Sequence, residues 1–181
     1  MNRKTRGTIL AAAGALALAC SSLVSAADYA HEVQAEKISF AWPVSGDRLD
    51  VKLNAPTAGW VGIGFNPTEG MQGGNYILGY VKDGKVTLSD DFGDSAINHK
   101  ADDKLGGTDD ATLVGGIEEK GSTTIEFSIP LDSSDANDGK IDVNADTVLL
   151  LAYGPDRDSF RVRHKYRTEL KVNLSTGSSG K

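Results

Sequence analysis

Cysteine appears once in this chain, at position 20, and methionine only at positions 1 and 71. The opening residues explain the lone cysteine's position. Arg3, Lys4 and Arg6 precede an alanine- and leucine-rich stretch from Ile9 to Leu18, and Val24-Ser25-Ala26 places small residues where a signal peptidase cuts. This predicts an export signal over residues 1–26 and a periplasmic or extracellular protein. Ser21 and Ser22 break the apolar stretch, which makes it a poor membrane-spanning helix. Ala17-Leu18-Ala19-Cys20 loosely resembles a lipoprotein processing site, with Ala17 where leucine is expected, so a lipid anchor at Cys20 is the alternative. Cleavage after Ala26 leaves 155 residues without cysteine. Disulfides, zinc-thiolate sites and covalent Cys-x-x-Cys-His haem attachment are then all excluded.

Basic residues are also scarce. The leader carries three of them and no acid, so the remainder has 16 Lys and Arg against 25 Asp and Glu. A net charge of −9 argues against a nucleic-acid partner, because phosphate binding needs the opposite sign. Sustained helical periodicity is missing too. What recurs is alternation. Lys37–Trp42, Leu49–Leu53, Gly59–Phe65, Asn75–Val81, Val86–Leu88, Thr123–Ile129, Thr147–Tyr153 and Thr168–Leu174 read as strands. Ser45-Gly46-Asp47 and Asp83-Gly84 read as hairpin turns. Eight or nine evenly spaced strands predict an all-β, immunoglobulin-like antiparallel β-sandwich over 37–174. A short arm over 27–36 precedes it and a flexible tail over 175–181 follows. The polar stretch from Asp90 to Gly116 reads as a long loop with one short strand at Ala111–Val114.

Met71 stands out because its surroundings, Pro67-Thr68-Glu69-Gly70-Met71-Gln72-Gly73-Gly74, form a polar, glycine-rich loop rather than a core segment. A thioether is a soft ligand, suited to haem iron or copper and poor for calcium or magnesium. Gly62 and Gly64 leave one face of the preceding strand bare, which suggests that something bulky lies against it. Of the histidines, His31 falls in the arm and reads as solvated. His164 sits in Phe160-Arg161-Val162-Arg163-His164-Lys165-Tyr166-Arg167, a basic island in an acidic protein, and arginine there is equipped to pair with anionic groups. His99 ranks below His164, since nothing near it in sequence suggests an apolar face. Asp132 to Gly139 is no EF-hand: with Gly139 at position six, Ser134 and Ala136 fall on the first two ligand positions. No nucleophile or dinucleotide motif stands out.

Gly59-Trp60-Val61-Gly62-Ile63-Gly64-Phe65, Met71 and Tyr76-Ile77-Leu78-Gly79-Tyr80 together resemble the DOMON superfamily. The downstream set resembles its bacterial haem-binding branch. That set comprises Ser89-Asp90-Asp91-Phe92-Gly93, His99-Lys100-Ala101-Asp102, Leu105-Gly106-Gly107-Thr108-Asp109-Asp110, Gly115-Gly116-Ile117-Glu118-Glu119 and the Phe-Arg-x-Arg-His segment. The resemblance implies a sandwich holding one non-covalent haem b, with Met71 and His164 as axial ligands from opposite sides of the iron. One departure is Gly74-Asn75, where many relatives carry Ala-Asp. Met/His ligation raises the reduction potential. The implied role is that of an exported cytochrome, not an enzyme, which passes electrons to a redox partner protein.

Two other readings compete. In a carbohydrate- or small-ligand-binding module without haem, Trp60 or Tyr80 stacks on a sugar ring and Met71 is incidental. In a copper protein, Met71 and His164 hold the metal, with or without His99 as a third ligand, and the absence of cysteine rules out a blue-copper site.

Overall fold

The computed structural model describes residues 28–180. The expected export signal and Cys20 lie outside the described residues, as does Lys181. Thirteen strands follow in order: β1 (His31–Ala35), β2 (Ile38–Trp42), β3 (Val44–Ser45), β4 (Arg48–Ala55), β5 (Val61–Phe65), β6 (Asn75–Lys82), β7 (Lys85–Ser95), β8 (Asn98–Ala101), β9 (Thr112–Glu119), β10 (Ser122–Pro130), β11 (Asp146–Tyr153), β12 (Tyr166–Asn173) and β13 (Ser179–Gly180). One 3-10 turn, Asp102–Lys104, lies between β8 and β9. Every pairing is antiparallel. One sheet runs β1-β2-β4-β10-β9, with β3 also paired to β4, and the other runs β13-β12-β11-β5-β6-β7-β8. The two sheets form the expected sandwich.

Period-2 alternation decides which side chains enter the core. In β4, Leu49, Val51, Leu53 and Ala55 are buried while the residues between them are only half-buried. They meet Ile125, Phe127 and Ile129 of β10 and, across the sandwich, Ile63, Ile77, Leu149 and Leu151. The turns follow from the same local chemistry. Asp83 and Gly84 both take positive φ, 51° and 73°, and join Lys82 to Lys85 in a two-residue hairpin. That is the conformation an Asp-Gly turn favours.

Three expectations need correction. Residues 31–35 are no free arm: they pair with β2 from His31↔Trp42 to Ala35↔Ile38. Val33 and Ala35 extend the buried apolar row to the sheet edge, and the His31 ring packs on Trp42 with centroids 5.3 Å apart, so it is not simply solvated. The segment after β12 is also held. The Trp42 Nε1–H donates to the Leu174 carbonyl at 2.8 Å, and Ser179–Gly180 pairs back onto β12. The Asp90–Gly116 stretch, finally, is mostly structured: β7 continues to Ser95, β8 and the 3-10 turn follow, and β9 starts at Thr112. Its acidic residues extend a strand because their carboxylates find partners there. Asp90 Oδ2 accepts the N–H groups of Asp110 and Ala111, both at 3.0 Å.

Phe127 is 1% exposed at the centre of this core. Phe127→Ala should reduce unfolding free energy by about 3–5 kcal/mol through lost burial and an unfilled cavity, as measured by urea denaturation.

Candidate functional site

The outward face of the second sheet carries the features singled out in the sequence. Pairing registers place Leu150, Gly64, Tyr76 and Asp91 in one row across β11, β5, β6 and β7. Ala152, Gly62, Leu78 and Ser89 form the next row. Two glycines in the central strand thus leave a shallow trough between apolar side chains. The trough is lined: a Cβ on Gly64 would lie 2.1 Å from the Tyr76 ring, and one on Gly62 would lie 3.1 Å from Leu78. Trp60, Tyr76 and Leu78 form a second apolar cluster, separate from the core, with Met71, Tyr80, Leu150, Ala152, Phe160 and Val162 packed against it.

Met71 therefore does not sit in a loose loop. Its N–H donates to the Ala96 carbonyl at 3.0 Å, and its own carbonyl accepts the Tyr76 hydroxyl at 2.9 Å. Gly93 bonds the two glycines that follow Met71 in the loop: the Gly73 N–H donates to the Gly93 carbonyl and the Gly93 N–H to the Gly74 carbonyl, both at 2.9 Å. Gly93 is essential to this approach, because a Cβ there would fall 1.8 Å from the Met71 carbonyl oxygen. Gly70 combines positive φ (58°) with a Cβ position 2.2 Å from the Ala96 oxygen. The glycines make a tightly docked loop and not a flexible one.

The basic island comes to the same cluster from the other end of the chain. The Trp60 Nε1–H donates to the Val162 carbonyl at 3.0 Å, Phe160 packs on Tyr80 with centroids 4.8 Å apart, and the Lys165 N–H donates to the Tyr153 carbonyl at 2.8 Å. His164 is half-buried within this segment. Burial, then the charges of Arg167 and Arg163, hold its pKa below the ordinary 6.5, which favours the neutral imidazole. Arg161, Arg163, Lys165 and Arg167 are all exposed.

The structure also draws in His99, which sequence reasoning ranked low. Its Nδ1 lies 2.6 Å from Asp91 Oδ2, and its ring stacks on Tyr76 with centroids 5.4 Å apart. Asp91, His99, Tyr76 and the Met71 carbonyl thus form one connected series of contacts. Tyr76 was missed as a positioning residue, although the repeated Tyr-x-Leu-x-Tyr alternation opposite a Gly-x-Gly strand is a sequence signal for aromatic rings filling a bare face. Burial raises the Tyr76 pKa to about 12, so its hydroxyl keeps the proton it donates.

A second cluster was invisible in the sequence. Asp90, Asp102 and Asp138 each direct a carboxylate oxygen toward the others, all within 4.8 Å of one another, and Asp90 and Asp102 are buried. Burial, followed by neighbouring carboxylates, pushes their pKa values up to about 8 for Asp90, about 7 for Asp102 and about 6 for Asp138.

The two-sheet antiparallel sandwich, with an apolar trough and a docked methionine loop on one outer face, defines a class of β-sandwich domain. A family model described as "DOMON domain" matches residues 34–154, and the chain belongs to that family. It is 32% identical over 105 residues to human "DBH-like monooxygenase protein 1", covering 58% of this chain and 16% of that protein. It is 34% identical over 142 residues to human "Putative DBH-like monooxygenase protein 2", covering 77% of this chain and 25% of that protein. The chain thus spans a quarter or less of these relatives. In fold it is similar to the cytochrome b domain of pyranose dehydrogenase from Coprinopsis cinerea, with TM-score 0.59 and 14% identity over 77% of this chain and 78% of that one. The cytochrome domain of Myriococcum thermophilum cellobiose dehydrogenase matches with TM-score 0.54 and 11% identity over 79% and 80%. These likenesses carry the fold. The curated relatives are animal proteins, so the bacterial branch implied by the motifs is not what these matches show.

The carboxyl cluster has a consequence for pH dependence. Its three groups bind protons more tightly in the folded chain than at the unfolded value of 3.8, so their contribution to stability is full below that value and is lost as pH rises toward 8. His164 works in the opposite direction below its ordinary 6.5 and is a single group. In metal-free buffer, unfolding free energy from urea titrations should fall between pH 4 and pH 8, and Asp102→Asn should flatten that slope.

Proposed function

We propose that this chain is an exported b-type cytochrome domain that holds one non-covalent haem through Met71 and His164. The observation that carries the reading is the convergence of the Met71 loop and residues 160–162, ending two positions before His164, on one apolar cluster, although they stand about ninety residues apart in sequence. The donor set fits haem. A thioether and a neutral imidazole would supply the Met/His pair that haem iron takes, the glycines let the Tyr76 and Leu78 side chains seat close against the sheet, and Trp60, Leu78, Leu150, Ala152, Phe160 and Val162 supply apolar surroundings. Arg161, Arg163, Lys165 and Arg167 supply cations for the propionates, which guanidinium groups bind in bidentate fashion. Bound haem supplies a one-electron redox centre.

The protein's own residues do the rest. Tyr76 and Gly93 fix the Met71 backbone, so the thioether is presented without first ordering a loop. The Trp60–Val162 hydrogen bond fixes the strand-entry segment that bears His164. Held by Met71 and His164, a haem would have no open iron position for a substrate, which favours electron exchange with a redox partner protein over an enzymatic reaction. Fold likeness to two cytochrome domains supports this reading.

The sugar-module reading is disfavoured by particular contacts. Trp60 is 5% exposed with its indole N–H bonded to Val162, so its ring offers no free face, and the half-buried Tyr80 already packs against Phe160. In the copper reading, His99 would serve through its other nitrogen, since Nδ1 faces Asp91.

Haemin added to the purified protein should give a one-to-one complex with a sharp Soret band and low-spin α and β bands on reduction. A protein that stays colourless sinks the proposal. Met71→Ala should keep the fold, measured by circular dichroism, and its ferrous complex should bind carbon monoxide where the parent does not.

A further inference from the structure

We propose that Asp90, Asp102 and Asp138 form a binding site for one calcium ion, which ties β7, the 3-10 turn and the loop between β10 and β11 together. The argument begins with what these carboxylates lack. Both oxygens of Asp102, which is 0% exposed, have no hydrogen-bond partner, and neither does Asp90 Oδ1. Among the described residues, the ion pairs join other acids: Glu126, Asp91, Asp94, Asp103 and Asp132. None reaches the cluster. Three carboxylates brought together from distant parts of the sequence, two of them buried, are therefore left without a cation.

Such an arrangement is costly unless something compensates it. A buried carboxylate without a partner forfeits its hydration, and like charges at this separation repel. Protonation relieves the repulsion but leaves the Asp102 O–H as unpartnered as its oxygens are now. A divalent cation relieves both. Calcium binds oxygens at about 2.3–2.6 Å, so two ligands on opposite sides of the ion stand about 5 Å apart. The mutual oxygen separations, all within 4.8 Å, fit one shared ion.

The donors select the ion. All three side chains offer hard oxygen, with no imidazole or thiolate in the group, which turns the site away from zinc and copper. Magnesium keeps several of its waters, and a fully buried Asp102 leaves little space for them. Asn75 adds to the case. Its Nδ2 donates to Asp138 Oδ1 at 2.6 Å, while its own Oδ1 is buried and without a partner. The remaining contacts are already set: Asp90 Oδ2 is held by two backbone N–H groups, leaving Oδ1 for the ion. Asp102 is held through its carbonyl, which accepts the N–H groups of Leu105 and Gly107, both at 2.9 Å. Gly107 matters here, because a Cβ would fall 3.1 Å from Asp102 Oδ2. This site is independent of haem and stands whether or not haem binds.

The test is calorimetry on the purified protein, first in chelator and then with calcium chloride. Isothermal titration should show one site, and the melting temperature should rise by about 6 °C or more at a hundredfold excess of calcium over the dissociation constant. Asp102→Asn provides an opposite-sign control. Removing one repelling charge should leave its melting temperature in chelator equal to or above the parent's, while its calcium response disappears. No calcium-dependent heat or melting shift in the parent overturns the site, as does an unchanged response in Asp102→Asn. A magnesium response as large as that to calcium overturns the choice of ion.

Discussion

The registration of β5 between β11 and β6 is the constraint on which both faces of the second sheet depend. Ile63 pairs with Leu151 and Ile77 on the core side, while Gly62 and Gly64 pair with Ala152 and Leu78, and with Leu150 and Tyr76, on the outer side. Side chains alternate with a period of two, so a slip by one residue would send Val61, Ile63 and Phe65 outward and turn the glycines toward the core. The core would lose three of its buried side chains, and the trough that receives Tyr76 and Leu78 would fill with branched ones. Core stability therefore enforces the geometry of the outer face.

From that face, order spreads through polar contacts instead of apolar packing. The Tyr76 ring rests over Gly64, its hydroxyl holds the Met71 carbonyl, and its outer side stacks on His99, which Asp91 orients. Asn75, the residue before Tyr76, bonds to Asp138 in the acidic cluster. The start of β6 thus stands between two sites of different character. One is apolar and includes the Met71 side chain. The other is made of hard oxygen donors. Neighbouring residues of a strand point to opposite sides of the sheet, which lets Asn75 and Tyr76 serve different sites within one turn of the pleat.

Much of the architecture was legible in the chain because its cause is local. Leu49-Asp50-Val51-Lys52-Leu53 and Ile125 to Ile129 alternate, and alternation is how a half-buried strand looks in sequence. Asp83-Gly84 meets the left-handed requirement of its turn at both positions. The strand His31–Ala35 was not legible, since only Val33 and Ala35 bear apolar groups and their burial requires β2 beside them. The long β7 was missed for a related reason: Asp90 and Asp91 read as loop until the N–H groups of Asp110 and Ala111 are seen to hold Asp90, and Ser89 and His99 to hold Asp91. Asp138, within the Asp132–Gly139 segment whose spacing does not fit an EF-hand, meets Asp90 and Asp102 from outside it.

Composition and spacing by themselves determined an acidic, all-β chain whose residues 27–181 hold no cysteine and one methionine, in a glycine-rich loop, with a basic segment around His164. Those properties follow from residue type and short-range periodicity, which act without the rest of the molecule. Tertiary structure alone decided that the Met71 loop is docked and not mobile, that residues 160–162 cover the same apolar cluster as Met71, and that three aspartates converge unpaired. Each depends on contacts between segments tens of residues apart, and such contacts form only when the sheet register brings them to one place.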